Sequence, residues 1–185
     1  MDVLAARLTW TEQDETLEDD DHRRAMLAAA DAIIEAIDLE ELAAWRGREH
    51  DGEEVDEDEV QRMKEAHEHL VAALMARGRV QLEMAEAGDA PEATDAFNAT
   101  WNELDEWSDP ADEEGGWKLE LGRARMEQRL ATALELVDAR LKKHPREREL
   151  HDIRLELLEA LEWNHLAEGQ RRAMLLAFPG EYPPL

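Results

Sequence analysis

Apolar residues recur along this chain at three- and four-residue intervals, the spacing that gathers them on one face of an α-helix, and nowhere do they alternate as in a half-buried strand. Met26, Ala30, Ile33 and Ile37 form one stripe over 19–37. It lies behind the run Asp19, Asp20, Asp21, whose charges suit the positive end of a helix dipole. Asp38 reads as the N-cap of a short helix reaching Trp45, with Glu41 completing a capping box, and 47–54 reads as a loop. Asp56 and Glu59 form a second capping box before the longest stripe: Val60, Met63, His67, Leu70, Leu74, Gly78 and Leu82. A turn over 88–91 follows, with Pro91 suited to the first turn of a helix that carries Ala93, Phe97, Trp101, Leu104 and Trp107. Ser108, Asp109 and Pro110 open a break that ends in Gly115 and Gly116, a pair that reads as a flexible joint.

Beyond the break, Trp117, Leu121 and Ala124 lie on a helix. Leu130, Leu134, Val137 and Leu141 follow at near-heptad spacing up to His144 and Pro145. Leu150, Ile153, Leu157, Leu158 and Leu161 make the next stripe. A last helix with Leu166, Gln170, Ala173, Met174 and Ala177 is stopped by Pro179. Each helix buries one stripe, and short connections make neighbours antiparallel. The expected fold is all-α: antiparallel helix pairs stacked as an irregular tetratricopeptide-like α-solenoid, with a compact bundle as the alternative. The full tetratricopeptide spacing is not met, because the helix running through Gly78 towards Gly88 is too long. One helical domain, 1–185, is expected, with acidic helices over 1–110 and charge-balanced helices over 111–185.

Charge sharpens that division. Residues 1–60 hold 21 acids against 5 bases, 61–116 hold 14 against 4, and 117–185 hold 12 against 12, so the whole net charge of −26 falls before residue 117. Such a field repels nucleic-acid phosphates and anionic membranes, and neither is expected as a partner. The acidic part reads as a solvated surface that resists aggregation, which salt adaptation would also produce, or as a docking face for a basic partner. No stretch approaches the roughly 20 apolar residues of a membrane span. Met1 to Trp10 also lacks the basic start and long apolar run of a signal peptide, so a soluble cytoplasmic protein is expected.

Chemistry finds little purchase. There is no cysteine, and Ser108 is the only serine, placed where capping or turn formation explains it. No phosphate-binding loop, dinucleotide fingerprint or Gly-x-Ser-x-Gly occurs. Glu162 and His165 have the spacing used in di-iron bundles, but a second such motif and two further inward glutamates are missing. His67 falls on an apolar stripe and reads as a packed, hydrogen-bonded histidine. No cofactor, metal site or catalytic residue is expected.

Candidate contact residues are therefore sought on surfaces. Trp45, beside a presumed loop and next to Arg46, is one. Arg140, Lys142, Lys143, Arg146 and Arg148 form the one basic cluster, straddling a helix end. That cluster is able to receive the acidic region of a neighbouring molecule, which would make head-to-tail association electrostatically sensible. Phe178, Tyr182, Pro183 and Pro184 mark a proline-rich end suited to docking, either back on its own last helices or on a neighbour.

Several segments, taken in order, resemble one family. They are 28–38 (Ala-Ala-Ala-Asp-Ala-Ile-Ile-Glu-Ala-Ile-Asp) with Leu42 to Trp45, then 70–79 (Leu-Val-Ala-Ala-Leu-Met-Ala-Arg-Gly-Arg), then Phe97, Trp101 and Trp107 to Asp109. The end is the most telling: Leu157 to His165, with a tryptophan, one residue and a histidine, then one more helix and Phe178 to Leu185. Together these are similar to the C-terminal helical region of tripeptidyl peptidase II; residues 83–95 and 110–128 match poorly. That family is a very large cytosolic serine peptidase with a subtilisin-like domain, releasing tripeptides from free N-termini. Its C-terminal helices pack between subunits as dimers stack into strands. The resemblance implies a non-enzymatic assembly module whose partner is another copy or a subtilisin-like peptidase chain. The start at Val3 to Leu8 reads as the tail of a helix from a preceding pair, as in a chain cut from a longer one. A free-standing tetratricopeptide-like adaptor binding a peptide or protein is the alternative.

Overall fold

A computed structural model of the chain describes residues 2–12, 19–50, 56–88, 92–110, 113 and 115–180, apart from the side chains of Asp2 and Trp10. The described residues are helical with turns between, and hold no strand. They divide into two compact units, Met1–Gly116 and Trp117–Leu185.

The first unit contains α1 (Asp2–Glu12), α2 (Asp19–Ala36), α3 (Leu39–His50), α4 (Glu57–Ala87) and α5 (Ala93–Trp107). The 31-residue α4 is its axis, and α2, α3 and α5 all pack on it. Its start is fixed by Asp56, whose carboxylate accepts from the backbone N–H groups of Asp58 (3.0 Å) and Glu59 (3.4 Å). Its end is fixed by Gly88 in the left-handed region at φ +71°, where a side chain would be strained. Cross-contacts set the directions: Arg77 reaches α5 near its middle while His67 meets Trp107 at its end, so α4 and α5 are antiparallel. Ala30, Ile33, Leu42, Leu70, Leu74, Phe97 and Leu104 are almost fully buried between these helices.

Two expectations are corrected here. The segment beginning at Gly47 is not a loop at its start: α3 continues to His50, while 51–54 lie outside the described residues. Gly47 costs about 1 kcal/mol against alanine in a helix interior. Burial of Trp45 offsets this, together with bonds from Arg46 to the Glu106 carbonyl (2.9 Å) and from Arg48 to Glu59. Gly116 is likewise no loose joint. A Cβ there would lie 1.7 Å from the Pro110 carbonyl oxygen, so the position is closed to any larger residue. Of the pair, Gly115 supplies the positive φ, +81°.

The second unit contains α6 (Gly116–Met126, its first residue in the preceding unit), α7 (Leu130–Lys143), α8 (Arg148–Ala160) and α9 (Asn164–Ala177). Its core joins Leu121, Ala124, Ala133, Leu134, Val137, Leu150, Leu157, Leu158 and Ala167. Here the backbone repeats itself. Gln128 (φ 56°) and Glu162 (φ 58°), both non-glycine residues in the left-handed region, stand 34 positions apart. Each is followed by the same conformation, φ −84°, ψ 58°, at Arg129 and Trp163. The same turn hydrogen bonds close both, Arg129 N–H to the Ala124 carbonyl (2.8 Å) and Trp163 N–H to the Leu158 carbonyl (2.9 Å). His144 (φ −128°, ψ 64°) and Phe178 (φ −129°, ψ 66°) end α7 and α9 alike, again 34 apart, and each precedes a proline. Ala133 and Ala167, also 34 apart, are both fully buried. The pair α6–α7 thus recurs as α8–α9.

Candidate interaction surfaces

In each unit, one arginine on a middle helix ties its neighbours together. Arg77 on α4, its side chain 15% exposed, donates to the buried Thr100 hydroxyl (2.9 Å) and to Glu103 on α5, and reaches Asp31 on α2 at 3.5 Å. Arg154 on α8, 25% exposed, donates to Asp138 on α7 (2.6 Å) and to the Gln170 carbonyl oxygen on α9 (2.8 Å). Gln170 is itself buried, and its amide nitrogen lies 3.1 Å from Nδ1 of His151, whose Nε2 lies 2.9 Å from the Pro145 carbonyl. Since the amide nitrogen and the carbonyl fix the polarity at both ends, the ring accepts at Nδ1 and donates from Nε2.

Around the acidic first unit most of the scarce cations bridge helices. Arg79 pairs with Glu12 (2.9 Å) between α4 and α1, Arg62 with Glu41 (2.8 Å) between α4 and α3, and Arg23 reaches Glu83 at 4.0 Å between α2 and α4. Arg46 also lies over the Trp107 ring at 5.3 Å. In the second unit, Lys118–Glu149 (3.0 Å) and Arg125–Glu156 (3.2 Å) join α6 to α8 in parallel register. At the α6–α7 turn, Glu127 accepts from Arg129 (2.6 Å) and Arg123 (2.9 Å). The Arg129 hydrogen bond above all holds its carboxyl below the usual range, against a smaller opposing effect of burial.

The contact residues expected from sequence are placed as follows. Trp45 is 4% exposed, with its ring inside the first unit rather than on its surface. Arg140 is half-buried and stacks over the Trp117 ring at 5.4 Å. Lys142, Lys143 and Arg146 are exposed at the end of α7 and make no ion pair among the described residues, whereas Arg148 pairs with Asp152 at 3.4 Å. Phe178 packs its ring edge-on against His151, centroids 5.4 Å apart. Tyr182, Pro183 and Pro184 lie outside the described residues.

The residues weighed for chemistry have structural partners. The Ser108 hydroxyl donates to Glu113, and His67 Nε2 meets the Trp107 carbonyl at 2.8 Å with the ring half-buried. Glu162 and His165 are both exposed. Among the described residues no group of three or more histidine or carboxylate side chains could hold a metal ion, and no helix is long and apolar enough to cross a membrane.

Comparison with known proteins turns on length as much as identity. Tripeptidyl-peptidase 2 of Oryza sativa subsp. japonica is 29% identical over 171 residues, and that of Arabidopsis thaliana 27% over 176. The chain resembles a region of tripeptidyl-peptidase 2. Each match takes in 88% of this chain but only 12% of the plant protein, so the chain spans a small part of these relatives. No protein-family model and no solved structure matches it.

Two surface features had no strong signal in the sequence. One is a groove of about 390 Å³ beside α9, lined by Leu166, Gly169 and Ala173 and by the polar side chains of Arg154, His165, Glu168, Gln170 and Arg172. The other is the apolar outer face of α9 itself, with Leu166 50% and Leu176 84% exposed. An apolar residue in a helical stripe reads as core until the register shows which face the unit covers.

Proposed function

We propose that the chain is a non-catalytic assembly and scaffolding module, a counterpart of the C-terminal helical region of tripeptidyl-peptidase 2, working in the cytoplasm. Its partner is a second copy or a subtilisin-like peptidase chain, and neither nucleic acid nor membrane. The observation that carries this reading is the similarity to a peptidase segment across 88% of the chain, in an all-helical molecule with one serine and no cysteine. The helix pairs support an irregular tetratricopeptide-like solenoid, and the 34-residue recurrence in the second unit is the length of one such repeat. Light scattering on the purified chain, with and without a full-length tripeptidyl-peptidase 2, tests it. Self-association or a joint complex is the expected result, and a strict monomer that ignores the peptidase overturns the reading.

The 34-residue recurrence and the open groove beside α9 favour a second reading, an adaptor that holds a short peptide. Titration with a library of short peptides separates the two. Saturable binding without any rise in mass supports the adaptor and counts against assembly.

A further inference from the structure

Because the second unit repeats at 34 residues, α7 serves as an internal control for α9. Leu166, Gly169, Ala173 and Leu176 line one face of α9, and the residues in register on α7 are Thr132, Glu135, Ala139 and Lys142. On α7 this face is largely polar, as a solvated helix face should be. The α9 face is apolar and exposed, and the groove opens beside it. The control shows that packing within the unit does not require apolar residues there. The face that continues the stack behaves in the opposite way: Glu168 and Arg172 stand in register with Leu134 and Asp138 and pair with each other, so α9 is solvated where α7 meets α8. The exposed apolar stripe therefore lies on a different face from the one by which α7 meets α8.

Charge says what covers it. The contacts from Pro145 to His151 and from His151 to Phe178 bring the α7–α8 turn beside the C-terminal end of α9. The uncompensated cations Lys142, Lys143 and Arg146 therefore lie at the same end of the unit as Leu176. In the first unit, 35 acids face 9 bases, and most of those bases are already engaged. Its α3 turns an uncovered face outward in which Leu39, 40% exposed, lines up with exposed Ala43 and Gly47, and open space surrounds Gly47. Glu40 on that face and Glu35 just before it are exposed and make no ion pair among the described residues.

We propose that the outer face of α9 docks α3 of a second copy, antiparallel, with Leu39 beside Leu176 and the acids around Glu40 against Lys142, Lys143 and Arg146. This rests on the assembly reading above and names its surfaces. The small residues Ala43 and Gly47 on one helix and Gly169 and Ala173 on the other let the axes approach to about 8 Å, the near end of helix packing distances. The two surfaces differ, so each copy offers one α3 face and one α9 face, and copies join α3 to α9. Opposed charges speed encounter and fix register, while the Leu176 and Leu166 side chains leave water.

Sedimentation velocity on the full 185-residue chain tests this directly. Average mass is expected to rise with concentration and to fall as salt is added. Leu176→Glu, or Lys142→Glu with Lys143→Glu, is expected to weaken association about tenfold or more, as is Glu35→Lys with Glu40→Lys. All these positions are on the surface, so helical circular dichroism should not change. Mixing the Lys142/Lys143 variant with the Glu35/Glu40 variant sets an acidic α9 end against a basic α3 face, so the mixture is expected to associate more strongly than either variant alone. Association that ignores all three variants overturns these surfaces and leaves the assembly reading standing. Association lost through Leu176→Glu and the Lys142/Lys143 variant, but not through the Glu35/Glu40 variant, assigns the face to another occupant, residues 181–185 among them, and overturns the α3 contact. A chain monomeric at every concentration also overturns it, while binding to a peptidase chain would still preserve the broader reading.

Discussion

The two units solve one packing problem under opposite electrostatic conditions. In each, an arginine on a middle helix clamps the helices on either side, Arg77 joining α2 and α5, and Arg154 joining α7 and α9. Yet the first unit carries the whole charge of −26 and the second is neutral, with 12 acids and 12 bases. In the acidic unit most cations are committed to bridges between helices. The neutral unit can leave Lys142, Lys143 and Arg146 at its surface. Scarcity makes most of the arginines structural in one unit; balance leaves some of the cations available for partners in the other.

The sharpest way to break this comparison is at its boundary. Gly116→Ala pushes a methyl group into the backbone carbonyl of Pro110, which cannot swing aside as a side chain would. A loss of about 3 kcal/mol is expected, at the upper end of overpacking costs. Denaturant unfolding, with hydrogen exchange resolving the two units, should show the loss in the first.

Next come the two clamps. Arg77→Met removes charge-assisted bonds and leaves the buried Thr100 hydroxyl unpaired, costing about 2–3 kcal/mol. Arg154→Met should cost less, about 1–2 kcal/mol, because its clamp is more exposed. Hydrogen exchange should place each loss in its own unit; a loss of equal size in both units would remove the distinction.

Salt should act on one unit only. Screening relieves self-repulsion where 35 acids face 9 bases, so the first unit should gain on the order of 1 kcal/mol between low and high salt while the second changes little. Equal responses would mean that the acids are too well solvated to strain the first unit.

The repeat itself can be sharpened with paired substitutions. Gln128→Gly and Glu162→Gly each relieve a positive φ and should stabilise the second unit by similar amounts, about 0.5–1 kcal/mol apiece, read by denaturant unfolding. Unequal gains would show that the two turns are alike in shape but not in strain.

The smallest effect is at Glu127. Its carboxyl titrates below the ordinary range in the folded unit, so its contribution is present above the usual carboxylate range and is lost as pH falls through its lowered value. Glu127→Gln should flatten the acid side of a stability–pH profile of the second unit; an unchanged profile would mean that solvent already screens the pair.

Much of this molecule is written locally. Both N-caps are visible as an acid three residues before another, and Asp38 and Asp56 cap their helices as expected, since an N-cap needs only a few neighbouring residues; the carboxylates of Glu41 and Glu59 pair with Arg62 and Arg48 instead of closing capping boxes. The stripes through Leu70 and Leu74 and through Leu157 and Leu158 are core for the same reason. Features that depend on distant partners were not legible. The 34-residue recurrence leaves few identities, among them Ala133 and Ala167, and Pro145 and Pro179, because the turn at Gln128 and Glu162 uses no glycine to announce it. In the sequence Trp45 flanks an apparent break, Gly47 and the polar run after it, and only the bonds of Arg46 and Arg48 to other helices explain why the helix continues.

Helical class, the N-caps, the absence of cysteine and the division of charge at residue 116 were determined by sequence alone, because each depends on residue type or on spacing within a turn or two. Tertiary structure decided which cations are consumed in bridges and which stay uncompensated. It also decided that Gly116 is closed to a larger residue, and that one apolar stripe on α9 faces outward. Those outcomes depend on what lies across a helix face from elsewhere in the chain, and a linear pattern does not carry that information.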